Sequence, residues 1–371
     1  MFVDVSKTAR VHACRIAGLG HTELPADMLY DNPRFVTEVL TELGRHQLFT
    51  KLGNPMRQSL WELVRLADAK FIKQTGIRQR YIFPGTTAEL ATLAARDALN
   101  RSSFDPNELD AIIVGTNTGM RYPSTPDWVK RHLDLRNAAM CCDVQEACPS
   151  GAMANFLVWT LIRSGAARSA MHMSADRTKD FASRDEFAAP NLFGMAAGCT
   201  IMTRSDVEQF QFFDIDSDPH GDNIEFIGQR ERLVNGVSAV CSTCRRPAAK
   251  SFSQNGAKVH EYVATVVPER LAKAFDRISL DPATVDHFIP HQPSAKTLDF
   301  LIEKLYKRWP NWQNRDQVHP NIEEMGNTSA ACTGWLLSKA AASGQLHQGQ
   351  TVVVSSFGSG MSLAQYGLTV L

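Results

Sequence analysis

The feature that most constrains how this chain can fold is an internal repeat. Residues Ser103 to Ile113 read SFDPNELDAII, and residues Ser279 to Ile289 read SLDPATVDHFI. Each copy runs Ser, an apolar residue, Asp-Pro, two variable positions, an apolar residue, Asp, then an apolar run. The offset, 279 − 103 = 176, is nearly half of the 371 residues. A helical pattern precedes each copy: Ala88 to Leu99 before the first, Val263 to Ile278 before the second. Asp-Pro opens a turn or a helix, and AIIVG and HFIP have the composition of buried strands. The repeated unit therefore predicts two similar α/β halves packed together, over 1–205 and 206–371.

The remaining pattern agrees with an α/β fold. Val11–Ala17, Met140–Val144, Ser169–Ser174, Gly198–Thr203 and Thr351–Ser355 read as strands separated by helical stretches. The stretch from Asp31 to Lys73 differs: it is helical by periodicity, with Phe35, Val36, Val39, Leu40 and Leu43 on one stripe. It reads as a helical insertion, either a decoration on the core or a lid over a substrate tunnel. Lys+Arg and Asp+Glu are both 39, a zero balance that argues against nucleic acid as a partner. No apolar run approaches the roughly 20 residues of a membrane helix. No basic region followed by an apolar block opens the chain, so no signal peptide is expected and the eight cysteines read as reduced cytoplasmic thiols. Neither metal-ligand spacing nor a dinucleotide Gly-rich loop stands out, so no cofactor or metal is expected. The lone pair Cys241 and Cys244 reads as structural.

Three segments carry chemistry-bearing residues at element ends. MCCDVQEACPSG (Met140 to Gly151) is a strand followed by a helix, with Pro149 in the first turn and Gly165 closing the helix. Cys148 is then the N-cap residue. A thiol there feels the positive helix end, which favours thiolate over the ordinary pKa of about 8.5. The alternative is a small buried hydrophobe. Cys141 and Cys142, inside the strand, read as core. The second repeat runs straight into Pro290-His291-Gln292-Pro293, placing His291 just past a strand. Met325 to Ala331 reads MGNTSAA, a turn in which Asn327 can present an amide N–H.

EACPSG, PHQPSAKTLDFL and GNTSAA, with TGIRQRY (Thr75 to Tyr81) and the terminal SSFGSG (Ser355 to Gly360), resemble in type and order the β-ketoacyl-(acyl-carrier-protein) synthase III branch of the thiolase-like condensing enzymes. The resemblance implies a duplicated five-layered α/β/α/β/α fold, a homodimer, and acyl thioesters of coenzyme A or acyl-carrier protein as substrates. It implies that Cys148 is the acyl-accepting nucleophile and that His291 and Asn327 receive the second thioester. Cys148 and Gly358 would form the oxyanion hole. Arg121, Tyr122 and Phe357 would bind substrate, with Arg121 and Tyr122 on a loop reaching the partner subunit's acyl tunnel.

Departures from the family pattern point to a specialised pathway. Glu146 stands where the family has a small residue two before the cysteine. A carboxylate there is either held by a backbone or Arg partner, Arg121 being one, or serves as a base for a non-decarboxylative condensation. The family's Gly-Asp-Gly-Ala-Gly run is Phe193 to Gly198 here, without its Asp, and Phe71 is the nearest match to the aromatic that stacks on coenzyme A. Arg245, Arg246 and Lys250 are candidates for carrier-protein docking. The reading is a ketosynthase joining β-ketoacyl-type units, as in dialkylresorcinol or cyclohexanedione formation. Its rivals are a housekeeping synthase III starting fatty acid synthesis, an acyltransferase to an alcohol or amine, a non-catalytic partner subunit, and a thiol hydrolase.

Overall fold

In the computed structural model the described residues are 1–4, 6, 12–40, 59–178, 191–217, 226–230, 233–234, 237–238, 251–312 and 318–371. Cys241, Cys244, Arg245, Arg246, Lys250 and residues 41–58 of the expected insertion lie outside them. Ten strands form the two main sheets: β1 (Phe2–Asp4), β2 (Ala13–His21), β3 (Ala111–Gly115), β4 (Met140–Val144), β5 (Ser169–Asp176), β6 (Ala196–Ser205), β7 (Phe210–Asp216), β8 (Val285–Pro290), β9 (Thr351–Gly358) and β10 (Ser362–Thr369). The main helices are α1 (Leu60–Thr75), α2 (Thr87–Arg101), α3 (Thr125–His132), α4 (Ser150–Ser164), α5 (Gly256–Ile278), α6 (Ala295–Arg308) and α7 (Cys332–Ala342).

The first sheet has the order β2-β6-β5-β3-β4 and the second β1-β7-β10-β9-β8. In the first, β3 is parallel to β5, β5 antiparallel to β6, and β6 antiparallel to β2. In the second, β8 is parallel to β9, β9 antiparallel to β10, and β10 antiparallel to β7. The halves thus share one four-strand pattern, with β4 and β1 as additions at opposite edges. The two Asp-Pro segments also fold alike: each opens a one-turn 3-10 helix whose Asp side chain, Asp105 or Asp281, accepts the N–H two residues on at 2.9 Å. Proline fits the first helical position because no N–H is needed there.

Five layers result. Helices α2 and α3 cover the outer face of the first sheet, and α5 and α6 that of the second. Helices α4 and α7 lie between the sheets, where Val158, Ile162, Leu336 and Leu337 join Ile113, Ile289, Val352 and Tyr366 in one core. No described helix is long and apolar enough to cross a membrane.

Three expectations change. Strand β4 is an edge strand, so Cys141 and Cys142 are half-buried rather than core, and Met140 is 43% exposed. Strand β1 pairs with β7, which attaches the first residues to the second sheet. Phe71 is fully buried and packs with Phe35, Val36, Val64 and Ala67 beside the Arg80 guanidinium, so no face is free to stack on a nucleotide.

Candidate active site

The segments that follow β3 and β8 meet at one cavity of about 340 Å³, which Asn117 and His291 both line. Cys148, His291 and Asn327 all line it, with Glu146, Phe357 and Gly358.

Cys148 sits on the sharp turn between β4 and α4. Ala147 takes φ +51°, a left-handed conformation uncommon for alanine. Ser150 closes the turn: its hydroxyl donates to the Ala147 carbonyl at 2.6 Å and accepts the Glu146 N–H at 2.7 Å. Pro149 is the cap residue and α4 starts at Ser150, so Cys148 stands one residue further out than the expected N-cap. The Ser356 hydroxyl holds the Cys148 carbonyl at 3.0 Å. Gly358 passes so close that a Cβ there would lie 2.9 Å from both Cys148 N and Cβ; only glycine fits.

Burial works against the expected lowering of the Cys148 thiol. Burial pushes it up to about 12, and the Ser329 hydroxyl, 3.8 Å from Sγ, offsets only part of this. Desolvation disfavours the charged thiolate and so opposes the pull of the helix end.

His291 follows β8, and its N–H donates to the Ser355 carbonyl on β9 at 2.7 Å. Its ring meets Phe357 edge-on at 5.4 Å, and burial pushes the imidazole down to about 3, so it is neutral. Among the described residues, Nδ1 has no hydrogen-bond partner. Asn327 is buried and held from both sides: its N–H donates to Leu192 and its carbonyl accepts from Gly194. Gly194 is required, because a Cβ there would meet the Met325 carbonyl at 1.8 Å. The Asn327 side-chain oxygen accepts the Ser329 N–H at 2.8 Å, which fixes the amide plane and leaves the NH₂ group to donate.

Glu146 also lines the cavity. Its Oε1 accepts the hydroxyl of Ser362, the first residue of β10, at 2.5 Å. Arg121 and Tyr122 are exposed, Tyr122 at 92%, and neither lines the cavity of its own chain. Phe357 is buried in the wall beside His291. Among the described residues no cluster of His, Cys, Asp and Glu has the makings of a metal site.

Sequence reasoning missed a polar layer under the cysteine. Asp176, at the end of β5, is fully buried and accepts from Asn117 N (2.7 Å), Asn117 Nδ2 (3.0 Å), Thr116 Oγ1 (3.1 Å) and Ala330 N (3.0 Å). It also missed Gln292, whose side chain donates to the His319 carbonyl at 2.6 Å and accepts the Asn321 and Ile322 N–H groups, tying the His291 loop to the segment leading to Asn327. The available signal was a lone carboxyl closing the apolar run SAMHMSAD.

Residues 275–369 match the family described as 3-oxoacyl-[acyl-carrier-protein (ACP)] synthase III C terminal. The chain is 27% identical over 318 residues to the β-ketoacyl-[acyl-carrier-protein] synthase III of Trichodesmium erythraeum, covering 84% of this chain and 92% of that one. Its fold matches the 3-oxoacyl-(acyl carrier protein) synthase III of Pseudomonas aeruginosa, with a TM-score of 0.76 at 24% identity over 96% of this chain and 98% of that chain. It also matches the priming β-ketosynthase of the R1128 polyketide pathway, with a TM-score of 0.79 at 21% identity over 98% of both.

Proposed function

We propose that this chain, a β-ketoacyl-(acyl-carrier-protein) synthase III-like condensing enzyme of the thiolase superfamily, forms a carbon–carbon bond between two acyl thioesters through an acyl group held on Cys148. The observation that carries the reading is that Cys148, His291 and Asn327, contributed by both halves of the chain, line one cavity.

In the first half-reaction Cys148 Sγ bonds to the acyl carbon of a coenzyme A or carrier-protein thioester, and the donor's C–S bond breaks. The thiol proton is delivered to the leaving thiolate as the new C–S bond forms. The developing oxyanion is met by the N–H groups of Cys148 and Gly358. In the second, the partner thioester oxygen accepts hydrogen bonds from His291 and the Asn327 NH₂. A neutral imidazole is a competent donor to an enolate. Loss of CO₂ from a malonyl-type group, or removal of an α-proton, supplies the carbanion. The carbanion attacks the acyl carbon on Cys148, and the thiolate leaves.

The finer reading is a specialised pathway in which β-ketoacyl-type units are joined. Glu146 in the cavity wall supports it, as the base that a non-decarboxylative step needs. Arg121 adds no support within one chain. Synthase III initiation of fatty acid synthesis is the second reading, favoured by a curated relative of which the chain covers 92%. A cytoplasmic homodimer is part of the proposal: β4 leaves an unpaired edge beside the exposed Arg121–Tyr122 loop, where a second copy would complete the acyl tunnel. Sedimentation should give twice 41.1 kDa, and a monomeric species at micromolar concentration would remove this part.

The test is intact-protein mass spectrometry with a panel of acyl and β-ketoacyl thioesters, followed by product analysis with malonyl and β-ketoacyl partners. One acyl increment, absent in Cys148→Ala, is expected, and the best-loading donor separates the pathways. Acyl transfer to an alcohol or amine with no carbon–carbon product would overturn the reading.

A further inference from the structure

We propose that Asn117, itself in the cavity lining, and the buried Asp176 are positioning residues for the nucleophile, a clamp that fixes Cys148 against Ser329. The inference rests on Cys148 being the nucleophile.

Asn117 follows β3, and its side-chain NH₂ has three acceptors around it. These are the Ala147 carbonyl (2.8 Å), Asp176 Oδ2 (3.0 Å) and Ser329 Oγ (3.4 Å). Ala147 is the left-handed residue immediately before Cys148, and Ser329 is the left-handed residue (φ +53°) whose hydroxyl lies 3.8 Å from Cys148 Sγ. One amide therefore holds the turn that carries the sulfur and the turn that faces it. Asp176 fixes that amide in turn. Its carboxylate takes the Asn117 N–H, the Asn117 NH₂, the Thr118 N–H (3.2 Å) and the Ala330 N–H, four donors that cannot accept. Burial pushes Asp176 above the ordinary carboxylate range while these donors pull it back. Four fixed donors on a buried carboxylate tie together the ends of β3 and β5 and the start of the turn into α7. Two left-handed non-glycine residues flank the sulfur, and such conformations persist only where the surroundings over-determine them.

A positioning role predicts a loss in directed acyl transfer without loss of an available thiol. The probe is p-nitrophenyl hexanoate, whose nitrophenolate burst reports acylation of Cys148 whatever the natural donor is. Alkylation by iodoacetamide reports the thiol without demanding attack geometry. For Asn117→Ala the burst rate should fall at least about tenfold, with alkylation within about twofold of wild type and ester KM little changed. Ser329→Ala, which removes only the hydroxyl, should lower the burst several-fold and serves if Asn117→Ala does not fold. An unchanged burst in both variants, or burst and alkylation falling together, would overturn the clamp. A wild-type chain with no Cys148-dependent burst would instead remove the nucleophile reading.

Discussion

Ser362 donates its hydroxyl to Glu146 at 2.5 Å, across 216 residues of sequence, and so holds a carboxylate in the wall of the cavity that also contains Cys148. The carboxylate is oriented by the first residue of β10, which follows closely on β9, the strand that supplies Phe357 and Gly358. If Glu146 removes an α-proton, Glu146→Gln should reduce product from a β-ketoacyl partner by about 10²-fold or more while acyl loading of Cys148 is unchanged. Loading by intact mass and product by chromatography separate the two steps. Undiminished product would assign Glu146 to holding the turn and return the site to decarboxylative chemistry.

Gly358 lies where any side chain would press on Cys148 N and Cβ and on Pro149 Cδ, all at 2.9 Å. Gly358→Ala should therefore displace the proposed oxyanion donors and slow acyl loading by about 10²-fold, equivalent to about 3 kcal/mol of transition-state stabilisation. Single-turnover loading with an acyl-CoA measures it. Loading within a factor of three would show that this approach is not part of the chemistry.

The Cys148 thiol is pushed up to about 12 and the His291 imidazole down to about 3. Below a raised thiol pKa the thiolate fraction grows with pH, so alkylation of Cys148 should rise about tenfold per unit between pH 7 and 9. His291 stays neutral across that range and adds no acid limb. A plateau beginning near pH 7 in the alkylation profile would contradict the burial argument and restore a helix-activated thiolate.

Asp105 and Asp281 make the same 2.9 Å bond at the two copies of the repeat. Asp105→Ala and Asp281→Ala should each cost about 1 kcal/mol, with little effect on loading. Denaturant unfolding followed at equilibrium gives both values. A cost at one copy only would mean that the shared turn no longer has the same weight in the two halves.

The repeat, the buried strands and the three segments around Cys148, His291 and Asn327 were legible because their signals are local: a turn dipeptide, an apolar run, a reactive side chain at an element end. Strands β7 and β10 were not read in advance, and Asp176 was not singled out. Its meaning depends on donors at Asn117, Thr118 and Ala330, which only the fold brings to it. The burial of the Cys148 thiol was missed for a related reason. Position at a helix end is visible in sequence, whereas the depth of the cavity, which opposes its pull, is set by Phe357, Phe193 and Leu192 arriving from elsewhere. Arg121 and Tyr122 form a motif, yet within one chain they are exposed and do not line the cavity.

The shared strand pattern has one more consequence. His291 stands 176 residues after Gly115, so the two occupy the same strand end in the two halves. In the same way Asp176 closes the eight-residue strand β5 and Gly358 the eight-residue strand β9. Of each such pair one member lines the cavity and the other serves the framework: Gly115 yields space to the start of α4 while His291 lines the cavity, and Asp176 ties β5 to the Ala330 turn while Gly358 lines the cavity beside Cys148. At these two pairs the duplicated architecture needs only one member at each strand end to hold the framework, which leaves the other free to face the cavity.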